Sequence, residues 1–394
     1  MTEDLSSSLK FKNNILNNDF WTLRIKKGNT TQSDLYIQYC RNQLYSQTPK
    51  RYFERYDYKD EWNNYGYGKI DFKNKILSIS STIKLNNQNE ISYISDNNNN
   101  YYGSYSGLWK NDFCLLWFNR LSGPFDSFEW RIVENFVSNL VYKNFKCLPL
   151  ISEIPFGTKG IATARLDCDE DIESSKKLFQ FYKKKNITLS LAVVTELLKD
   201  KKNRSFLSKL KNLSNILLSH SKTHRPNWGG DYKNAKWEAE DSKNDIYRFF
   251  KIVCDFAVAP FHQAPSYAIK ALEKNKYKGL VAGIINNDPY ILMARAGGSI
   301  FSKKVISLSQ QCMLHGDILK TERDLKRYYS IIDQYKHSKT IFGYLDHPFS
   351  KRYSYGWQNE KSRINFHNKI INYLKKNNFV FLSIIEIFRF IENK

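Results

Sequence analysis

At 394 residues and 46.5 kDa the chain exceeds one average domain and can bury a sizeable core without disulfide staples. Its six cysteines, Cys40, Cys114, Cys147, Cys168, Cys254 and Cys312, form no CxxC pair, which excludes a zinc ribbon and fits a reducing compartment better than a disulfide framework. The net charge of +22 would suit a polyanion binder, but the excess is lysine spread along the chain among Asn, Ile and Tyr, without a basic-aromatic recognition motif, so no nucleic-acid partner is expected.

Residues 1–13 are polar and lack the apolar core of a signal peptide, and no run of about 18 apolar residues occurs. A cytoplasmic location without a membrane span is therefore expected. Residues 1–120 are rich in Tyr and Asn and carry short alternating stretches, 76–80 and 91–94, that predict half-buried strands. The Asn run 97–100 after Asp96 predicts a turn. Aromatics here, such as Trp62 and Trp109, either form a small core, the expected case, or bind glycan from an exposed face. Gly123-Pro124 then interrupts the chain, and Asp126 with Glu129 resembles a capping box ahead of Phe128, Ile132, Phe136 and Leu140 at helical spacing. This predicts a helix over about 127–143, connecting through 121–150 to a second domain over 151–394.

From 151 onward, short apolar strands alternate with amphipathic helices: 161–166, 187–194, 216–218, 256–258, 280–285, 341–345 and 379–382. Repeated βα units predict a parallel α/β sheet or barrel, and Ser383 with Glu386 forms a capping box opening a C-terminal helix.

Chemistry-bearing residues cluster where these strands end. Arg165, Asp167 and Asp169 alternate, so in an extended chain they project to one face. His220 and His224 lie four apart after 215–219, a spacing that suits two ligands on a helical turn or on a strand end entering a turn. His262 follows one strand and His347 another, whereas His315, His337 and His367 follow no predicted strand. Two carboxylates and two histidines form a donor set suited to a divalent metal that activates water, and the chain reads as a hydrolase.

In this order the pieces resemble the polysaccharide deacetylase family, also called the NodB-homology domain or carbohydrate esterase family 4. His220-Ser221-Lys222-Thr223-His224 matches the family's His-Ser/Thr-x-x-His block, and Trp237 to Ser242 resembles the acidic helix that follows it. Arg165-Leu166-Asp167-Cys168-Asp169 looks like a variant of the Thr-Phe-Asp-Asp-Gly motif, and Ala259-Pro260-Phe261-His262 looks like the third motif without its arginine. The stretch 271–279 is similar to the family's helix, Gly and strand, and His347 matches the histidine of the last motif, while the tryptophan-bearing fourth motif is missing. The resemblance covers about 155–394 and implies a distorted (β/α) barrel beside a β-rich N-terminal domain.

The resemblance further implies that Asp169, His220 and His224 hold a divalent metal, Zn2+ by preference, that Asp167 accepts a proton from water, and that His347 protonates the leaving group. A backbone N–H near His262 would face the oxyanion, and Arg165 would orient the aspartates. Which aspartate holds the metal stays open, because Cys168 separates residues that the usual motif keeps adjacent. The implied substrate is an acetylated sugar, nucleotide-sugar or oligosaccharide, and the implied setting is the building of a bacterial surface polysaccharide. The alternative is a non-catalytic carbohydrate-binding protein on a degenerate deacetylase fold.

Overall fold

The computed structural model describes residues 36–40, 50–52, 83–96, 98–110, 114–119, 132–133, 136–137, 154–282, 297–299, 302–309, 312–317, 319–339, 341–350 and 352–393. It divides into two compact units, one made of Met1–Asp57 and Gly66–Leu150, the other of Tyr58–Tyr65 and Ile151–Lys394.

In the first unit β1 (Tyr36–Tyr39), β2 (Lys50–Tyr52), β3 (Glu90–Ser95), β4 (Tyr101–Lys110) and β5 (Cys114–Phe118) form an antiparallel sheet in the order β2-β1-β3-β4-β5. The predicted strand at 91–94 is β3, and the turn after Asp96 closes with the Asn99 N–H donating to the Asp96 carbonyl. Ile91, Ile94, Tyr105 and Leu108 supply its buried face. Trp109 is only 1% exposed and packs on Leu85 and Trp117, so the glycan-binding reading of that side chain is corrected: its indole is core. The stretch 76–80, Trp62, the Asp126–Glu129 box and most of the helix predicted over 127–143 lie outside the described residues, although 132–133 and 136–137 are helical.

The second unit is an α/β structure around one ten-stranded sheet ordered β11-β12-β10-β9-β8-β7-β6-β14-β13. Its strands are β6 (Gly160–Cys168), β7 (Leu189–Val193), β8 (Leu217–Ser219), β9 (Phe256–Val258), β10 (Gly279–Ala282), β11 (Gly297–Ser299), β12 (Ser302–Ser309), β13 (Cys312–Met313), β14 (Ile341–Asp346) and β15 (Phe379–Phe381). β15 pairs with the first half of β6 and β7 with the second half. Every described pairing is parallel except β11 with β12.

From β6 to β10 the strands neighbour one another in chain order, and β14 returns to the other edge of β6. Such single winding carries each right-handed crossover onto the same side, as in a (β/α) barrel, and meets the fold expected for this part. β6, β7, β8, β9, β10 and β14 are buried along their whole length, which is why the sequence shows apolar runs here rather than alternation. The helices are α1 (Lys176–Lys184), α2 (Lys201–Ser208), α3 (Tyr232–Phe250), α4 (Ser266–Lys274), α5 (Glu322–Ser338), α6 (Glu360–Lys376) and α7 (Ile384–Glu392). The Ser383–Glu386 capping box opens α7, whose Ile384, Ile385, Ile387 and Phe388 join the core formed by Ile161, Ala192, Leu218, Val258 and Val281.

Candidate metal centre

Parallel strands end at one rim, and there the fold gathers side chains from five of them. Asp167 is the penultimate residue of β6 and Asp169 follows its end; His220 follows β8, His262 lies in the turn after β9, His315 lies just past β13 and His347 follows β14. The strand ending at Met313 is only two residues long, so the expectation that His315 follows no strand is corrected.

His220 is buried, and its Nδ1 lies 3.0 Å from the Val258 carbonyl, which makes Nδ1 the protonated nitrogen and leaves Nε2 facing the centre. The spacing to His224 is spanned by a turn, not a helix: Ser221 and His224 have φ of 62° and 56°, and the His224 N–H donates to Ser221 Oγ over 3.0 Å. Buried Glu238, on α3, fastens this turn from behind. Its Oε2 accepts the Lys222 and Thr223 backbone N–H groups, each at 2.8 Å, and its Oε1 accepts the Thr223 hydroxyl. The acidic helix noticed in the sequence thus contributes a hydrogen-bonding anchor behind the histidines.

Asp169 Oδ1 lies 3.2 Å from His220 Nε2 and 3.6 Å from His224 Nε2, while Oδ2 lies 3.2 Å from His347 Nε2. Oδ1 is buried and has no hydrogen-bond partner among the described residues. Ligand atoms of Asp169, His220 and His224 lie within 4.8 Å of one another, and this one-carboxylate, two-imidazole set fits a zinc-like divalent cation. Burial would raise the Asp169 carboxyl, but the imidazoles of His347 and His220 hold it well below the usual range.

Asp167, 1% exposed, is clasped by Arg165. Nε donates to Oδ1 over 2.7 Å and a terminal guanidinium nitrogen donates to Oδ2 over 3.1 Å. Burial opposes its ionisation, yet the Arg165 charge outweighs this and holds the carboxyl at about 2. The alternation of these two residues in the sequence therefore becomes a bidentate pair.

Behind His347 the polar core is saturated. Asp346 accepts the His347 N–H at 2.8 Å, Arg363 Nε at 2.6 Å and His367 Nε2 at 2.9 Å. Arg363 also donates to the His347 carbonyl over 2.5 Å, and the His367 ring continues to Tyr182 at 2.7 Å. His315, Asp346 and His347 also bring ligand atoms within 4.8 Å of one another, but a carboxylate already paired with a buried guanidinium is neutralised without a metal.

His262 is 4% exposed and burial pushes its imidazole down to about 3. Its own N–H donates to the Ala259 carbonyl over 3.0 Å, so of the backbone N–H groups near His262 this one is already engaged. The preceding residue, Phe261, lies against His224 with ring centroids 4.6 Å apart and planes tilted by 39°. Sequence reading did not single out His315, Tyr355 or Glu170. Tyr355 lies over the His347 ring and bonds to Glu170; neither contact leaves a periodic or motif signal.

No protein-family model matches the chain, and no curated protein matches it. Solved structures do. The Xyl-CE4 domain of a multidomain xylanase from the hindgut metagenome of Trinervitermes trinervoides is 13% identical, with a TM-score of 0.40 over 59% of this chain and 91% of that one. A family 4 acetyl xylan esterase from Clostridium thermocellum, in complex with a cobalt ion, is 13% identical, with a TM-score of 0.39 over 58% of this chain and 91% of that one. A CE4 family pseudoenzyme from Bacillus anthracis is 12% identical, with a TM-score of 0.40 over 59% of this chain and 66% of that one.

Proposed function

We propose that this chain is a metal-dependent hydrolase that removes an acetyl group, on nitrogen or oxygen, from a sugar. The observation that carries this reading is the buried Asp169 oxygen, without a hydrogen-bond partner among the described residues, facing the Nε2 atoms of His220 and His224. Asp169, His220 and His224 would hold the ion. When bound, a zinc-like ion lowers the pKa of water toward neutrality and polarises an acyl carbonyl.

The remaining steps belong to the chain's own residues. Asp167, kept ionised by Arg165, takes a proton from the attacking water as the oxygen bonds to the acyl carbon. His347 gives its Nε2 proton to the departing amine or alkoxide as the acyl bond breaks, so the products are acetate and a free amino or hydroxyl group. The oxyanion is met by a backbone N–H of the turn after β9, near His262. The substrate class is an acetylated sugar, nucleotide-sugar or oligosaccharide, and bacterial surface-polysaccharide biosynthesis in the cytoplasm is the setting proposed.

One observation favours a second reading, a non-catalytic carbohydrate-binding protein. Both Asp167 oxygens are already engaged by Arg165, and so low a pKa makes a weak base. Metal analysis combined with acetate release from a panel of acetylated sugars separates the two. His220→Ala should lose both ion and turnover, whereas Asp167→Asn should keep the ion and lose turnover by about 10²-fold or more. Wild-type turnover in Asp167→Asn would eliminate it as the base, and bound ion without acetate release from any substrate would select the binding protein.

A further inference from the structure

The two ends of the second unit differ in charge. At the rim, the six strand-to-helix loops 169–175, 194–200, 220–231, 259–265, 314–321 and 347–359 carry eight acids against six lysines and arginines. At the opposite end, the six helix-to-strand segments 185–188, 209–216, 251–255, 275–278, 339–340 and 377–378 carry seven lysines and one acid. Lysines scattered along the sequence are collected by the fold, because each crossover helix runs back from the rim and ends where the next strand begins. Lys184, Lys209, Lys251, Lys274, Lys339 and Lys376 are each the last residue of a helix from α1 to α6, or the residue after it, and all six are exposed.

A cation at a helix C-terminus complements the helix dipole and by itself means little. Two further observations accompany it here. Among the described residues, the acids beside these lysines are engaged: Asp255 pairs with Lys243 over 2.8 Å, Glu392 with Lys278 over 3.5 Å and Glu273 with Lys304 over 3.8 Å, while Glu386 accepts the Ser383 N–H of its capping box over 2.7 Å. Large apolar side chains also stand out among the lysines. Phe156 is fully exposed, Val253 is 62% exposed and Val380 37%, and they precede or open β6, β9 and β15, which start at this end. The Lys159 N–H donates to the Asn378 carbonyl over 3.3 Å, which sets the loop of Phe156 beside the turn of Val380. A cavity of about 330 Å³ lies here too, where Lys251, Lys278 and Arg389 stand beside Ile252, Val253 and Ile385.

A surface of one charge sign attracts any polyanion, but the apolar tips discriminate. A nucleic acid offers phosphates and nothing for exposed Val253 and Val380, and lysine lacks the planar fork with which arginine reads bases. An anionic bilayer offers phosphate headgroups to the lysines and an apolar layer just beneath them for the tips. We propose that this end of the second unit docks on the surface of a membrane rich in anionic phospholipid, with Phe156, Val253 and Val380 entering the headgroup boundary. Asp169, His220 and His224, at the other ends of the strands, then face away from the bilayer. Docking needs neither a bound ion nor turnover, so it stands apart from the function proposed above.

The test is cosedimentation of the full-length, metal-free protein with vesicles of phosphatidylcholine alone or of equal parts phosphatidylcholine and phosphatidylglycerol, over a range of salt. The wild type should bind the anionic vesicles, leave them as salt rises, and ignore the neutral ones. The double variant Lys209→Glu, Lys251→Glu should bind at least about 25-fold more weakly, since each lysine near such a surface contributes about fivefold. Phe156→Ser, with charge unchanged, should lose about 10-fold. The double variant Lys176→Glu, Lys177→Glu, which changes the charge equally at exposed positions where α1 leaves the rim, should bind nearly as the wild type does. A wild type that ignores the anionic vesicles, or equal weakening by the two double variants, overturns the proposal. Undiminished binding by Phe156→Ser does so as well, because the face would then read charge alone. Duplex DNA that displaces the vesicles at equal phosphate concentration would assign this end to nucleic acid instead.

Discussion

Glu238 offers a test of how the histidine pair is held. Its carboxylate lies under the turn between His220 and His224 and accepts two backbone N–H groups, each at 2.8 Å, together with the Thr223 hydroxyl. Glu238→Ala leaves those two N–H groups without their acceptor. Lys222 and Thr223 are half-buried, so water recovers part of the loss and the low end of the range applies, about 1 kcal/mol for each group and about 2 kcal/mol together. For a unit of this size that corresponds to about 4–8 °C in Tm. The same loss frees Ser221 and His224 from their left-handed backbone angles, so metal affinity should fall by about 10- to 100-fold, as when other supports of ligands are removed. Thermal melts of the metal-free protein and competition against a chelator measure the two effects. Glu238→Gln keeps one oxygen and should fall between. If Glu238→Ala binds zinc as tightly as wild type, the anchoring argument is wrong, whatever the melt shows.

Two further predictions concern stability. Burial pushes His224 and His315 down to about 4 and His262 to about 3, and it also lowers His367. The unfolded chain, with imidazoles near about 6.5, therefore protonates first, and the contribution of these four falls as pH drops below that value. For His220 and His347 burial also pulls down, but the Asp167 and Asp169 carboxylates respectively outweigh it. Both are net raised, so their contribution is present at low pH and is lost as pH rises through the folded value. The first group is the larger, and Tm of the metal-free protein should fall between about pH 7 and pH 5; a Tm that rises over that interval would show the raised pair to dominate. Gly316→Ala would place a Cβ 2.4 Å from backbone atoms of Gly356 and Trp357, which cannot yield as a side chain tip can. Overpacking of this kind costs roughly 1–3 kcal/mol, and an alanine variant melting with the wild type would show that the loop moves freely.

Much of the second unit was readable from the sequence because its strands are buried on both faces and so stand out as apolar runs between capped helices. The predicted strand at 256–258 coincides with β9, and 161–166 falls within β6. Arg165 and Asp167 were readable as neighbours because alternation in a strand is local. What escaped was non-local or too short. β13 has two residues, below any periodic signal, and with it went His315. Tyr355 lies in a loop whose partner Glu170 is 185 positions away, and nothing in an isolated aromatic announces that it covers a histidine. The fate of the His262 N–H was equally hidden, because it depends on φ of 51° and 58° at Phe261 and His262, which place it on the Ala259 carbonyl.

The centre is assembled from separate strand ends, each set in place by its own pairing with neighbouring strands. Its parts can therefore be lost one at a time without disturbing the sheet. On the function proposed, a descendant that exchanged His347 alone would retain Asp169, His220 and His224 and could still carry an ion, whereas one that exchanged Asp169 would lose the ion with the proposed proton donor intact. Retention of an ion is thus heritable without capacity for turnover on this scaffold, and within such a lineage turnover cannot be inferred from a bound ion.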